Sequence, residues 1–361
     1  MLETTDRQPV AAKPDMHFAE FVSLLALLMM MTALSLDIML PALGVMGQDL
    51  GLAEDNDRQL IITFYLLGFA TGQVIFGPLS DRFGRKPPLY AGFVIFIFGS
   101  VLATLAGSAE LMFAARVLQG LGSGAPRIIG MAIIRDKFAG RGMSRVMSYI
   151  MMVFLITPIL APSFGQFLLQ FGSWRLLFIV LFIAALISIL WLRLRMSETH
   201  APENRLPLSP QRIGNAIGIA VTTRQTLGYA IGFGFMFGIL MSYIGSAEQI
   251  FVDAYGVGEN FPLYFAAISS SMILAAIINT QLVGTLGMRR LSHGALALIL
   301  LTNFIMGLNG FPKAPPLWVF CLYMAVIFFC FGLIGPNFNA MAMEKVGQIA
   351  GTASSLIGSY A

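Results

Sequence analysis

Two long apolar runs are joined by Gly77-Pro-Leu-Ser-Asp-Arg-Phe-Gly-Arg-Lys86. So dense a charge cluster cannot lie in hydrocarbon, where even permissive scales charge about 2.5–3.5 kcal/mol for each ionised side chain. The ten residues therefore read as a tight turn in water between two membrane-crossing helices. The rest of the chain has the same character. It is 57% apolar and 11% charged, whereas a soluble domain carries about 25% charged residues. There is too little charge to cover a water-facing surface, so most of the exterior must be lipid. The apolar runs are about 20 residues long and Gly-rich, without the alternation of a membrane β-barrel, and predict helices.

Spans are expected at 18–43, 59–79, 88–107, 110–134, 144–169, 174–194, 225–247, 262–286, 292–310, 317–341 and 348–361. With the N-terminus inside and strict alternation, the inner loops receive Arg82, Arg85, Lys86, Arg135, Lys137, Arg141, Arg145, Arg193, Arg195, Arg289 and Arg290 among others. The outer loops receive only Arg58, Arg175 and Lys313, and are acidic instead, with Asp49, Asp55, Asp57, Glu248 and Asp253 among their charges. That bias is the positive-inside pattern, and it played no part in choosing the spans.

Residues 1–17 are polar and carry no short hydrophobic core with a cleavage site, so they read as a cytosolic tail. Spans one to six form a unit over 18–195, the proline-bearing stretch 196–224 is a cytosolic linker, and 225–361 begins a second bundle. Within the linker, Ile213–Val221 is apolar enough to form a short surface helix. The last run is too short to cross, so the sequence reads as stopping within an eleventh helix with a twelfth absent. Cys321 and Cys330 are nine residues apart in one run and face opposite ways, so they cannot bridge each other.

Asp37 and Arg116 stand out among the charges inside spans. Asp37 lies in Leu34-Ser-Leu-Asp-Ile-Met-Leu-Pro41, and Arg116 in Glu110-Leu-Met-Phe-Ala-Ala-Arg116. Each sits about 9 Å below the outer edge of its helix at 1.5 Å per residue, so the two are candidate partners. One reading is a static ion pair locking two helices. The other is an acid that titrates as it exchanges surroundings, because burial favours the neutral carboxyl and a nearby arginine the charged one. Tyr65, Gln73 and Gln119 are polar groups within spans, suited either to a ligand or to bonds across helices. Met151, Met152, Phe154, Phe233 and Phe237 are candidates for an adaptable apolar lining on helices five and seven.

In the turn, Gly77 allows close helix approach and Gly84 the reversal. Asp81 is suited to accept hydrogen bonds from a helix N-terminus near residues 347–352. Arg82, Arg85 and Lys86 either gate the inner side or only mark orientation. Pro158 and Pro162, four apart in the fifth span, predict a kink, with Gly165 one turn further on.

The turn 77–86 resembles the signature loop of major facilitator transporters, and it follows the second span as theirs does. Asp37-Ile-Met-Leu-Pro-Ala-Leu43, Arg116-Val-Leu-Gln-Gly-Leu-Gly122, Ala132-Ile-Ile-Arg-Asp136, Ala161-Pro-Ser-Phe-Gly165, Gly335-Pro-Asn337 and Ala350-Gly-Thr-Ala-Ser-Ser355 extend the likeness to the 12-span drug:proton antiporters of the Bcr/CflA branch. That resemblance implies an all-α polytopic membrane protein of two six-helix bundles around a central cavity. It implies that Asp37 is the acid for proton and substrate, that Arg116 modulates it, and that Pro158, Pro162 and Gly165 form the antiporter motif. Ala161 and Gln166 stand where the family often has glycine.

The expected function is a monomeric proton-coupled antiporter that exports amphipathic or cationic drugs and other small molecules across the bacterial inner membrane. A metabolite or siderophore exporter on the same scaffold is the alternative, and a non-transporting receptor or scaffold is another. The partners are then a small-molecule substrate, protons and the lipid bilayer. Basic residues dispersed among short loops do not suit nucleic acid. No nucleophile–base pair, metal cluster or phosphate loop points to an enzyme, a metal or a cofactor.

Overall fold

The computed structural model describes residues 16–138, 140–205, 209–308 and 315–345. The tail through residue 15, Lys313, the run 348–361 and the 347–352 stretch offered as partner to Asp81 lie outside them. Among the described residues there is no strand, and ten helical stretches are long and apolar enough to cross a membrane. These match the first ten expected spans. The helices are α1 (Phe18–Asp37), α2 (Leu43–Asp49), α3 (Leu60–Phe83), α4 (Lys86–Leu105), α5 (Ala109–Lys137), α6 (Gly140–Leu169), α7 (Arg175–Arg195), α8 (Pro210–Thr222), α9 (Arg224–Glu248), α10 (Phe261–Leu286), α11 (Met288–Leu308) and α12 (Leu317–Met343).

Prolines and glycines set where these helices break. The first span is not one helix. Pro41 has no N–H to give the carbonyl four residues back, which is that of Asp37, and α1 ends there. The chain continues through a 3-10 turn, Leu40–Ala42, into α2. The turn at 77–86 is shorter than expected. Gly77 to Phe83 belong to α3, and the reversal falls on Gly84, whose φ of +90° is a conformation few side chains tolerate. The linker holds the helix expected over Ile213–Val221, extended to Pro210–Thr222, and it packs on α9.

α3, α4 and α5 form the tightest part of the first half. Backbone meets backbone there, as small residues permit without a hydrophobic driving force in lipid. A Cβ on Gly120 of α5 would lie 2.0 Å from the Tyr65 carbonyl oxygen, and one on Gly68 of α3 would lie 2.0 Å from that of Val117. α1 lies against α5, α6 and α7. In the second half, α12 packs on α9, α10 and α11, and α10 also meets α6 of the first half. Cys321 and Cys330 are both free.

Gly120→Leu should therefore destabilise the fold by about 3 kcal/mol or more through overpacking. Its monodisperse peak in detergent should collapse on size-exclusion chromatography. Gly294→Ala, where a Cβ meets nothing within 4 Å, should elute as wild type.

Candidate functional site

A polar seam runs through the first half where α1, α3, α4 and α5 meet. Arg116, Gln119, Ser123 and Arg127 recur at intervals of three and four residues on α5, and so share a face. The Tyr65 hydroxyl donates to the Thr32 carbonyl (3.0 Å). The Thr32 hydroxyl donates to the Ser123 carbonyl (3.3 Å). Gln119 Nε2 donates to the Ser100 hydroxyl (2.9 Å). Tyr65 and Gln119 are thus engaged across helices, the second of the two roles open for them. Gln73 is likewise buried on α3.

Asp37 occupies the last position of α1, 3% exposed, at the break that Pro41 makes. One face of this break is sealed by α6. A Cβ on Gly165 would stand 2.0 Å from the Ile38 carbonyl oxygen and 3.3 Å from the Pro41 ring, so only glycine lets α6 press on it. α6 runs through Pro158 and Pro162 without ending. Asp37 Oδ1 is buried and has no hydrogen-bond partner.

The expected pairing of Asp37 with Arg116 is not found, and no cation lies within salt-bridge distance of Asp37 among the described residues. Arg116 is wholly buried. It donates to the carbonyls of Ile61 (3.1 Å) and Ser35 (3.3 Å) and to Gln119 Oε1, and it stacks 4.3 Å from the Tyr65 ring centre. The cause is the end of α1. Ser35 is among the last four residues, whose carbonyls have no partner within a helix, and it claims the guanidinium.

The apolar candidates are dispersed. Phe233 and Phe237 of α9 are half-buried and cluster with Phe331 of α12 at ring separations of 6.4 Å. Met151 and Met152 are exposed. Phe154 lies beneath a second, half-buried guanidinium that sequence reasoning missed, Arg127, at 4.7 Å. Arg127 is as deep in its span as Arg116, and the same cost of charge in hydrocarbon would have drawn attention to it.

At one end of the molecule the two halves are clamped together. Arg58, in a 3-10 turn over Asp55–Gln59, is 7% exposed; it pairs with Glu248 of α9 (3.1 Å) and with Asp253 in the π-helical continuation Gln249–Ala254. Gln59 donates to Gln249 (2.9 Å), and Gln249 to Asn56 (2.9 Å). Glu248 was expected in an exposed loop. It is instead 5% exposed, because the helical path carries on past it.

At the opposite end, Gly84 opens a charge cluster around the buried Arg85. Arg85 Nε and Nη2 donate to the two carboxylate oxygens of Asp136 (2.8 and 3.2 Å), and its Nη1 donates to Asp81 (2.7 Å) and the Ser80 hydroxyl (3.0 Å). Burial opposes this charge, but the bonds to Asp136 and Asp81 outweigh it and hold the Arg85 pKa above its ordinary value. A carboxylate does cap a helix N-terminus here, but it belongs to Glu198, which accepts the N–H of Arg85 (2.8 Å) and of Lys86 (3.0 Å) at the start of α4. Lys86 Nζ donates to the Met196 carbonyl (2.6 Å). Arg82 is exposed. Asp81, in the last turn of α3, pairs with Arg85 four residues on.

Membrane-length helices packed in two groups, with a polar interior seam and charge clusters at both ends, define a polytopic helical transporter. The profile of the Major Facilitator Superfamily matches residues 25–361, and the chain belongs to that family. It is 30% identical over 340 residues to the bicyclomycin resistance protein homolog of Haemophilus influenzae, covering 94% of this chain and 85% of that one. It is 27% identical over 352 residues to multidrug resistance protein D of Escherichia coli, covering 93% and 85%. The fold is that of a D-xylose-proton symporter crystal structure, with a TM-score of 0.75 at 15% identity over 96% of this chain and 87% of that chain.

The Arg58 clamp has a measurable consequence. The side chain of Ile62 lies against Gly245 across the halves, just beneath it. With Cys321 and Cys330 replaced by alanine, Arg58→Ala should raise maleimide labelling of an Ile62→Cys probe about tenfold or more, since 1.4 kcal/mol of lost clamp is one decade. An unchanged rate would mean that the clamp does not hold the halves together.

Proposed function

We propose that this protein is a proton-coupled antiporter that exports amphipathic drugs and related small molecules across a bacterial inner membrane. The organisation we propose is a first bundle over 18–195, a linker over 196–224 and a second bundle from 225, acting as a monomer with the N-terminus in the cytosol. Its likeness to a bicyclomycin resistance homolog and a multidrug resistance protein supports export of toxic compounds.

One observation carries the coupling: a buried carboxylate, Asp37, with one oxygen unpartnered, at a break in α1. Every other polar group on the neighbouring turn of α1 and α5 is tied to protein, and Asp37 is free to change what neutralises it. In this reading a proton taken from the acidic outer side neutralises Asp37, and a rocking of the two halves about the α6–α10 contact turns it toward the cytosol, where the proton leaves. Each unit charge moved inward across 100 mV supplies about 2.3 kcal/mol for moving substrate outward. Pro41 and Gly165 keep the break in place through the cycle. The Arg58 clamp and the Arg85 cluster then stand at the two mouths that must close in turn, and Arg82 and Lys86 flank the inner one.

Asp37→Asn should reduce proton-gradient-driven dye efflux from membrane vesicles to the level left by a protonophore, while the protein folds and inserts as wild type. Asp37→Glu should keep part of the activity. Full gradient-dependent efflux by Asp37→Asn would remove Asp37 from the coupling step.

A further inference from the structure

Arg127 differs from the rest of the seam in having nothing to bond. Arg116, Gln119 and Ser123 on the same face of α5 all have hydrogen-bond partners. Arg127 Nη1 is buried without one, and no carboxylate stands within salt-bridge distance of Arg127 among the described residues. Its contact is with the face of Phe154 on α6. A guanidinium stacked on a ring keeps its N–H donors, which point outward in the guanidinium plane, available to a third party.

The location is suited to a guest. Ser123, one turn before Arg127, receives the Thr32 hydroxyl, and Gly130, one turn after it, lies against Met29. Arg127 is thus level with residues 29–32 of α1, about 10 Å from Asp37 along the helix toward the Arg85 end. It is only half-buried although α5 is flanked by α1, α3 and α4. The open side cannot be hydrocarbon, because a bare guanidinium is not left in lipid without a counter-charge or water. By that argument the exposed part of Arg127 belongs on a water-reached side, where the Phe154 ring of α6 lies under the guanidinium.

We propose that Arg127, with Phe154 beneath it, binds the anionic end of an aromatic or otherwise amphipathic substrate, such as a carboxylate or phenolate. The proposal rests on the export reading and narrows it, since a fixed and unpaired cation repels cationic cargo and favours a flat, two-oxygen acceptor. It also separates the two ligands of the cycle. Substrate charge is held at Arg127 and the proton at Asp37, so the two are linked through α1 and need not compete for one carboxylate.

The test is direct binding to the full chain in detergent, read by fluorescence polarisation, with fluorescein as the anionic probe and ethidium as the cationic one. Arg127→Gln should weaken fluorescein binding about tenfold or more, the size of a lost charge-assisted bond, and should leave ethidium binding unchanged or tighter. Arg127→Lys should recover part of the loss, and Phe154→Ala should fall between wild type and Arg127→Gln. If Arg127→Gln does not fold, Arg127→Lys and Phe154→Ala carry the comparison on their own. Failure of the wild type to bind fluorescein, or an equal loss for both probes, would overturn the assignment. Gradient-driven ethidium efflux by the wild type in vesicles separates the two failures: its presence would leave the export reading standing without an anion site.

Discussion

Inside a membrane a polar group cannot turn to water, so each must find its partner within the protein. The seam between α1, α3, α4 and α5 is built on that constraint. Tyr65 reaches Thr32, Thr32 reaches Ser123, and Gln119 reaches Ser100. Arg116 takes a carbonyl that the end of α1 leaves free. Against so nearly complete a set of bonds, the two side chains left open are conspicuous. Asp37 and Arg127 are opposite in charge and lie at different depths; each has a buried atom with no partner, as Arg116 does, but unlike Arg116 neither makes a side-chain hydrogen bond or ion pair among the described residues. A protein designed only to be stable would have bonded or removed both, because an unsatisfied buried polar group costs about 1–3 kcal/mol and more when charged.

The break at Asp37 connects local chemistry to global motion. Pro41 deprives the Asp37 carbonyl of its helical partner, and Gly165 lets α6 press on the exposed backbone. α6 also meets α10 of the second half. α6 thus touches both the second half and the backbone beside Asp37, the latter through Gly165 with no side chain between. In the account proposed above, this is how movement of the halves and the surroundings of the acid become one event.

Much of the architecture was legible in the sequence because lipid punishes charge and rewards apolar length. Helix positions, the reversal at Gly84 and the burial of Asp37 all followed from that. What was not legible depended on three-dimensional satisfaction. Depth along the helices suggested Asp37 and Arg116 as partners, but a helix-end carbonyl outbid the carboxylate. Glu198, 112 residues beyond Lys86 in the chain, caps the start of α4 at that turn, and no spacing in the sequence brings the two together. Glu248 read as a loop acid because the apolar run stops there, although the helical path continues for one more turn and buries it against Arg58. Arg127 needed no structure to be noticed, being three turns beyond Arg116 on the same face, but its lack of a partner did.

The central claim is that Asp37 exchanges its proton as the transporter binds cargo. Counting protons released when a transported compound is added to purified protein in weakly buffered detergent tests this most directly. The account predicts release by the wild type that rises with ligand occupancy and disappears in Asp37→Asn, although the variant still binds the compound. Equal release from both proteins, or saturating binding by the wild type with no release at any pH, would contradict it.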